Sequence, residues 1–253
     1  MINNKKVFAI IMAAGKGTRI GATDKPKVMF EVAGKPIIGW AIGPFVDLKN
    51  RGIIDRIITI VGFHGDQVID YLGDKSEFAW QKDQLGTGHA VQQAEDFIGM
   101  EDGYTLIVNG DHPLYSAKTF EKMLNEAAEK DLTLGFATVI SAHRFDDYGR
   151  VIRNENGQAY AVVELQDATD EQKKIEERSI NLYVVDNKWL FNSLKHIKPF
   201  GPKNEYYITA IVEMAAEEGK NLDAIIIDDQ DEALGINTLD DRDEAEKILS
   251  SRK

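Results

Sequence analysis

The sequence predicts an α/β fold with a mostly parallel central sheet and helices on both of its faces. Apolar runs of strand length, Val7–Met12 and Ile54–Val61, alternate with helix patterns, Ile37–Leu48 and Ser116–Glu129. Strands that alternate with helices in this way are typical of parallel sheets covered on both sides. A length of 253 residues allows one large domain of this kind or two small ones.

The remaining predicted elements extend this pattern along the chain. They are, in order, a strand Phe78–Trp80, a helix His89–Phe97, a strand Tyr104–Val108 and a strand Leu132–Ile140. Short strands follow at Val151–Asn154, Ala159–Val163 and Ile180–Val185, with a charged, exposed excursion at Asp167–Arg178. The last elements are helices at Trp189–His196, Glu205–Glu218 and Thr238–Ser250 and a strand at Ala224–Ile227. Because no internal repeat or low-complexity linker divides the chain, we predict a single domain over residues 1–253 with an inserted lobe.

Composition excludes several classes of protein. Apolar residues make up 43% of the chain and charged residues 28%, as in ordinary soluble proteins. No apolar run approaches the ~18–20 residues that span a bilayer, and Val7–Ala14 lacks the cleavage pattern of a signal peptide. The net charge of −12 argues against nucleic-acid and membrane partners. Cysteine is absent, so disulfides and thiolate metal sites are excluded, and we expect a cytoplasmic location.

A glycine-rich loop directly follows the first predicted strand. Its small residues are Ala13, Ala14, Gly15, Gly17 and Thr18. Glycines permit the turns that direct several backbone N–H groups at one anion, and Arg19 and Lys27 add positive charge nearby. The loop matches neither a Walker A motif nor a complete dinucleotide fingerprint. It predicts a phosphate-binding loop, with an ordinary strand–turn–helix junction and solvated surface charges as the alternative.

Asp111 comes just after the strand Tyr104–Val108. In open α/β sheets, ligands bind beyond the carboxyl ends of the strands, and a carboxylate at that position can hold Mg²⁺ beside phosphates. The composition of residues 109–113 is equally typical of a capped turn, so the local sequence leaves both interpretations open.

Several motifs in a fixed order resemble one family. The glycine-rich loop with Pro26-Lys27 is similar to the signature of the nucleotidyltransferases that make sugar nucleotides, the sugar-nucleotide pyrophosphorylases. The similarity is greatest to the N-terminal uridyltransferase domain of bifunctional N-acetylglucosamine-1-phosphate uridyltransferase/glucosamine-1-phosphate acetyltransferases. Matching segments follow in that family's order at Gln81–Ala90, Gly110–Leu114, Tyr148–Val151, Val163–Glu164 with Asp167–Thr169, Asn204–Thr209 and Gly235–Asn237.

The resemblance implies a Rossmann-like nucleotidyltransferase fold and a reaction. UMP passes from UTP to a sugar 1-phosphate, with N-acetylglucosamine 1-phosphate as the expected acceptor, and pyrophosphate is released. The nucleotide-binding part is expected over about residues 1–140 and 224–253, and the sugar-binding lobe over about 141–223. UTP and the sugar 1-phosphate are the partners implied, Mg²⁺ is the cofactor, and the oligomeric state is left open.

The resemblance also assigns roles to individual residues. Arg19 and Lys27 would act on the triphosphate and the reacting phosphorus, and Asp111 and Asn237 would bind the metal. The nucleotide contacts would be Ala13, Ala14, Gly15, Gly17, Thr18, Gln81, Gly86 and Thr87. The sugar contacts would be Gly149, Glu164, Asn181 and Thr209. Gln81 can donate to and accept from a base. The alternative to a base-binding role is a structural one, in which this segment is a polar loop and Thr87 caps the next helix.

Some positions depart from the family pattern. Five residues separate Ile20 from Pro26, one more than is usual, and Ala210 stands where an aspartate is common. Tyr183 replaces a glycine, which predicts a large ring close to the sugar. The chain ends soon after Asn237 without hexapeptide repeats, so we expect no acetyltransferase activity.

The sequence leaves rival functions open. One keeps the fold but changes a substrate, as in thymidylyl, cytidylyl or guanylyl transfer, or transfer to glucose 1-phosphate. The other is a non-catalytic protein that binds nucleotide sugars.

Overall fold

A nine-stranded mixed sheet forms the centre of the molecule in a computed structural model, which describes residues 5–17, 20–99, 101–142, 144–201 and 204–252. Its nine strands are β1 (Lys6–Ala13), β4 (Arg56–Val61), β5 (Glu77–Trp80), β6 (Gly103–Asn109), β7 (Leu134–Ile140), β8 (Arg150–Arg153), β9 (Ala159–Val163), β10 (Glu177–Asp186) and β11 (Leu222–Ile226). Two further short strands, β2 (Glu31–Val32) and β3 (Lys35–Pro36), pair with each other in a separate two-stranded sheet. The α-helices are α1 (Ile37–Asn50), α2 (Gly65–Leu72), α3 (Thr87–Gln92), α4 (Glu95–Ile98), α5 (Ala117–Glu129), α6 (Asp170–Lys173), α7 (Asn187–Leu194), α8 (Ala210–Glu217) and α9 (Leu239–Ser251).

The sheet is mostly parallel, as predicted. Its main strand order is β11-β7-β10-β6-β1-β4-β5, and β10 runs antiparallel between β6 and β7. β1 lies parallel to both β6 and β4, so the carboxyl ends of these three strands meet at one edge. β8 pairs with β9 and β10, which attaches the predicted inserted lobe directly to the central sheet.

Helices cover both faces of the sheet and create two cores. Alternate residues of β1 enter different cores: Ala9 and Ile11 pack with α1, α2, α5 and α9, while Ile10 and Met12 pack with α3, α4, α7 and α8. Burial on both faces explains why this strand is an unbroken apolar run. Within the described residues, no helix is both long and apolar enough to cross a bilayer.

Four local predictions need correction. The single helix predicted over His89–Phe97 is two short helices, α3 and α4, separated by a tight turn. The helix predicted over Glu205–Glu218 begins only at Ala210, because the backbone of Glu205 and Tyr206 bonds to Phe200 and Leu85 instead.

The other two corrections concern a missing helix and a misjudged excursion. α2 was not predicted at all. In the charged segment 167–178 only the first part is exposed: Glu177 and Arg178 join β10 and are buried, with the Arg178 guanidinium held by the Ile175 carbonyl and Asp146.

Candidate active site

A cavity of about 580 Å³ lies beyond the carboxyl ends of β1 and β6, a volume typical of small-ligand sites. It brings together most of the residues singled out in the sequence. These are Ala13, Ala14, Gly15, Gly17, Lys27, Gln81, Gly86, Thr87, Asp111, Gly149, Glu164, Asn181 and Asn237. Thr209 does not line the cavity but bonds to Glu164 behind its wall. Thr18 and Arg19 lie outside the described residues.

The glycine loop places Lys27. Gly17 adopts a left-handed backbone, φ +70°, and a Cβ there would lie 2.4 Å from the Cβ of Lys27. Only a residue without a side chain lets the short 3-10 helix Lys27–Met29 pack against the loop so closely. The lysine side chain is thereby directed into the cavity, whose wall it forms.

Lys27 bridges the two predicted metal ligands. Its ammonium forms an ion pair with Asp111 Oδ2 and donates to Asn237 Oδ1 at 2.9 Å. Asp111 follows β6, and the Ile236 N–H donates to the Asp111 carbonyl at 2.9 Å, which brings the loop carrying Asn237 alongside. Residues 210 positions apart therefore converge on one point at the sheet edge.

The electrostatics of this point favour an ionised carboxylate. Burial alone would raise the pKa of Asp111, but the charge of Lys27 and its hydrogen bond outweigh burial, so the pKa is lowered. Burial lowers the pKa of the neighbouring His112, which keeps that imidazole neutral near pH 7. His112 stacks on Tyr115 with ring centroids 5.3 Å apart, in keeping with a packing role rather than acid–base chemistry.

The donor set suits a magnesium ion that arrives with a substrate. Asp111 and Asn237 offer a carboxylate and an amide oxygen, and hard oxygen ligands are those that Mg²⁺ prefers. Asp111 Oδ1 is buried, and no residue in the described part of the chain forms a hydrogen bond with it. Among the residues described, no three His, Cys, Asp or Glu side chains cluster to hold a metal alone. Two protein oxygens leave the remaining positions to phosphate and water.

In the cavity wall the side chain of Gln81 is buried and its orientation is fixed. Its Nε2 donates to the Gly86 carbonyl at 2.9 Å and lies 3.1 Å from His89 Nδ1. With both amide hydrogens used, Oε1 is the atom left for a ligand, and it has no protein partner among the residues described. Gln81 therefore presents an acceptor, where the sequence allowed either polarity.

The loop of residues 81–86, between β5 and α3, and the start of α3 are hydrogen-bonded to the segment 204–208. Gly86 has φ +109°, and a Cβ there would lie 2.7 Å from the backbone N and O of Tyr206. The Gly88 N–H donates to the Tyr206 carbonyl at 2.7 Å, and the Ile208 N–H donates to Thr87 Oγ1 at 2.9 Å. The alternative in which Thr87 caps α3 is wrong: Gly86 is the N-cap, without a side-chain bond.

Three of the predicted sugar contacts, Gly149, Glu164 and Asn181, also line the cavity. Thr209 Oγ1 donates to Glu164 Oε1 at 3.2 Å. Burial raises the pKa of Glu164, and the hydrogen bond from Thr209 only partly offsets this. A Cβ on Gly149 would lie 2.7 Å from Val162 Cγ1, so a side chain there would collide with β9. Asn181 has a left-handed backbone, φ +55°, at an irregularity in the β10–β7 pairing.

Tyr183 lies differently from the prediction. Its ring is fully buried in the core beneath the cavity rather than beside the sugar contacts in the wall. Only the hydroxyl approaches the site, where it donates to Asn181 Oδ1 at 3.4 Å.

Several lining residues were not among the predicted site residues, and four of them are Gln84, Asp147, Glu205 and Tyr207. Gln84 Nε2 donates to the Ala14 carbonyl at 3.0 Å and so braces the glycine loop. Tyr207 accepts from Gln166 Nε2 at 3.0 Å. All four belong to or adjoin matching motifs, which is the signal that would have identified them.

Known proteins resemble this chain in sequence and in fold. The family model described as "Nucleotidyl transferase" matches residues 8–232. "Bifunctional protein GlmU" of Lactococcus lactis subsp. lactis is 38% identical over 97% of this chain and 52% of the relative, and its namesake from Exiguobacterium sibiricum is 39% identical over 91% and 50%. The chain thus spans about half the length of these curated relatives. A crystal structure of UDP-glucose pyrophosphorylase complexed with UDP-glucose shares the fold, with a TM-score of 0.77 and 20% identity over 98% of this chain and 100% of that one.

Proposed function

The chain belongs to the nucleotidyl transferase family, and from that premise we propose that it transfers UMP from UTP to a sugar 1-phosphate, N-acetylglucosamine 1-phosphate first. One observation carries the proposal. A single cavity is lined by the buried amide of Gln81, by the polar side chains of Glu164 and Asn181, and by Lys27 paired with Asp111. The relatives named above, whose uridyltransferase part the sequence resembles, support the same substrates.

The proposed reaction needs positioning and charge neutralisation rather than a covalent nucleophile. An oxygen of the sugar phosphate attacks the α-phosphorus of UTP; the new P–O bond forms as the bond to the β-phosphate oxygen breaks, and pyrophosphate leaves. Negative charge shifts onto the leaving group, where preorganised cations lower the barrier. Lys27 and Lys16 are described cations that line the cavity, and Arg19 remains a predicted third.

Asp111 and Asn237 are the residues that would hold Mg²⁺ in this proposal. When bound, the ion would neutralise phosphate charge and orient the triphosphate. The Lys27 ammonium contacts Asp111 Oδ2 and Asn237 Oδ1, so this point of the cavity accommodates a positive charge.

The polarity of Gln81 supports uracil as the base. Uracil carries a donor, N3–H, which an acceptor-only Oε1 can receive. Cytosine carries an unprotonated N3 at the same position, and two facing acceptors leave both unsatisfied at a cost of about 1–3 kcal/mol. Thymine shares the N3–H, so a thymidylyl donor belongs in the test. A UTP-using enzyme also fits the cytoplasmic location predicted from the sequence.

The proposal is tested by following pyrophosphate release with UTP and a panel of sugar 1-phosphates that includes glucose 1-phosphate. We expect Mg²⁺-dependent turnover, highest with N-acetylglucosamine 1-phosphate. Asp111→Asn should reduce kcat by about 10²–10³-fold. Asp223→Asn is the matched control, since Asp223 also pairs with a lysine but lies on the edge strand β11. Absence of product with every sugar would contradict the proposed reaction. Full activity of Asp111→Asn would show that Asp111 is not a required metal ligand.

A further inference from the structure

We propose that Tyr183 is a positioning residue for the sugar end of the cavity: its buried hydroxyl holds the Asn181 carboxamide so that the amide N–H groups face the bound sugar. The inference rests on the proposed function, because it takes the Glu164–Asn181 end of the cavity as the sugar subsite. It adds a residue that does not itself line the cavity.

The position of Tyr183 in the sheet leaves its ring no freedom. β10 runs between β6 and β7, and Tyr183 sits opposite Ile107 on one side and Phe136 on the other. The side chain is 0% exposed and packs in the core shared with α3, α7 and α8. A buried hydroxyl without a partner would cost about 1–3 kcal/mol, and Asn181 supplies an acceptor at the cavity floor.

The contact with Asn181 sets the direction of its amide. Tyr183 Oη donates to Asn181 Oδ1 at 3.4 Å, and no other polar contact of this carboxamide occurs among the residues that the structure describes. An oxygen that accepts from below leaves the two N–H donors for the cavity. The left-handed backbone of Asn181, φ +55°, carries the side chain into the cavity wall at the point where the β10–β7 pairing shifts.

The phenol also stays a donor. Burial raises the pKa of Tyr183 and the charge of the nearby Glu164 raises it further, and together they outweigh the lowering effect of Ser179 beside the hydroxyl. The floor of the subsite therefore combines N–H donors from Asn181 with a carboxylate acceptor at Glu164, which Thr209 holds in place. Such a pair recognises a sugar that presents an acceptor oxygen, from a hydroxyl or an acetamido carbonyl, beside a hydroxyl donor.

Tyr183→Phe tests the inference because it removes the hydroxyl and keeps the ring. We expect the KM for the sugar 1-phosphate to rise about five- to tenfold, the loss of one hydrogen bond. The KM for UTP and the melting temperature should stay within error. Tyr104→Phe is the matched control, since Tyr104 is equally buried but its hydroxyl donates to the Ala127 carbonyl, in the other core.

A double mutant separates positioning from packing. In an Asn181→Ala background, Tyr183→Phe should have no further effect on the KM for the sugar 1-phosphate, because a residue that acts through Asn181 has nothing left to orient. Additive effects of the two substitutions would overturn the inference, as would a Tyr183→Phe protein indistinguishable from wild type.

Calorimetry with UDP and UDP-N-acetylglucosamine distinguishes failure of the inference from failure of the proposed reaction. Tyr183→Phe should weaken binding of the UDP-sugar about five- to tenfold and leave UDP binding unchanged. Equal losses for both ligands, or equal wild-type affinity for both, would overturn the inference. If wild type binds the UDP-sugar more tightly than UDP yet forms no product, the proposed reaction fails. The role of Tyr183 is then still decided by how much Tyr183→Phe weakens binding of the UDP-sugar relative to binding of UDP.

Discussion

Lys27 shows how single residues acquire their role in this site. A net charge of −12 disfavours polyanionic substrates on average, but Coulomb forces are strongest at short range. Lys27 is largely buried, and its ammonium lies against Asp111 and Asn237. A phosphate that enters the cavity competes with these oxygens for the same ammonium, and a metal ion can take its place beside them.

The contact between His89 and Gln81 leads to a prediction about nucleotide preference. By occupying one N–H of Gln81, it keeps that amide an acceptor toward the base. His89→Leu frees the N–H, which can then donate to the N3 of cytosine. We expect the preference for UTP over CTP, as the ratio of kcat/KM values, to fall about tenfold. His89→Asn should restore most of it, because an asparagine oxygen can accept in place of Nδ1.

The control for His89 lies on the same helix. Gln92 of α3 and His89 both line a second cavity of about 250 Å³. Of these two residues only His89 contacts Gln81 among the described residues, so Gln92→Leu should leave the nucleotide preference unchanged. If His89→Leu and Gln92→Leu give the same UTP-to-CTP ratio in the pyrophosphate assay, His89 has no part in base selection.

The sequence predicted most residues of the cavity but not the partners that orient them. Gln81 and Asn181 belong to recognisable motifs, and the structure brings both to the cavity wall. The amide polarity of Gln81 depends on His89, and that of Asn181 on Tyr183. Such partners depend on tertiary geometry, and the bulky side chain of Tyr183 gave no sign that only its hydroxyl reaches the site.

At the scale of elements, the capping box of α9 supports the site. Asp241 Oδ2 accepts from the backbone N–H of Thr238 at 2.7 Å and of Asn237 at 2.8 Å. Asp241→Ala should lower the free energy of unfolding by about 1–2 kcal/mol in urea titrations. Because Asn237 loses its anchor, half-maximal activity should also require more Mg²⁺.

Asp240→Ala is the matched control for α9. It removes an equal charge from the first helical turn without touching the capping box. A metal requirement that rises equally in both variants would mean that helix charge, and not the anchoring of Asn237, sets the affinity.

Element prediction succeeded where an unbroken apolar run or a helical period marks the buried residues, and it failed where the start of an element depends on backbone hydrogen-bond partners. β1 and α5 show strong patterns, and Ser116 caps α5 as its composition indicates. The start of α8 was misplaced because the backbone groups of Glu205 and Tyr206 bond to Phe200 and Leu85 rather than along a helix, and Leu85 is distant in the sequence.

At the scale of the whole molecule, β10 decides how the chain unfolds. It belongs by sequence to the predicted lobe, residues 141–223, yet it is an interior strand of the central sheet. Removing the lobe would therefore remove β10 and expose the edges of β6 and β7 that pair with it. We predict that the chain unfolds in one cooperative transition, as a single domain does.

Tryptophan fluorescence can test this prediction, because the three tryptophans report different regions. Trp40 lies in α1 of the predicted nucleotide-binding part and Trp189 in α7 of the predicted lobe. Variants that retain only one of these two should give the same urea midpoint, and both midpoints should coincide with that from circular dichroism. Saturating UTP should shift them upward together, since a ligand stabilises the whole cooperative unit that binds it. A lower midpoint from Trp189 alone would show that the lobe unfolds independently, and the single-domain organisation would have to be replaced by two units.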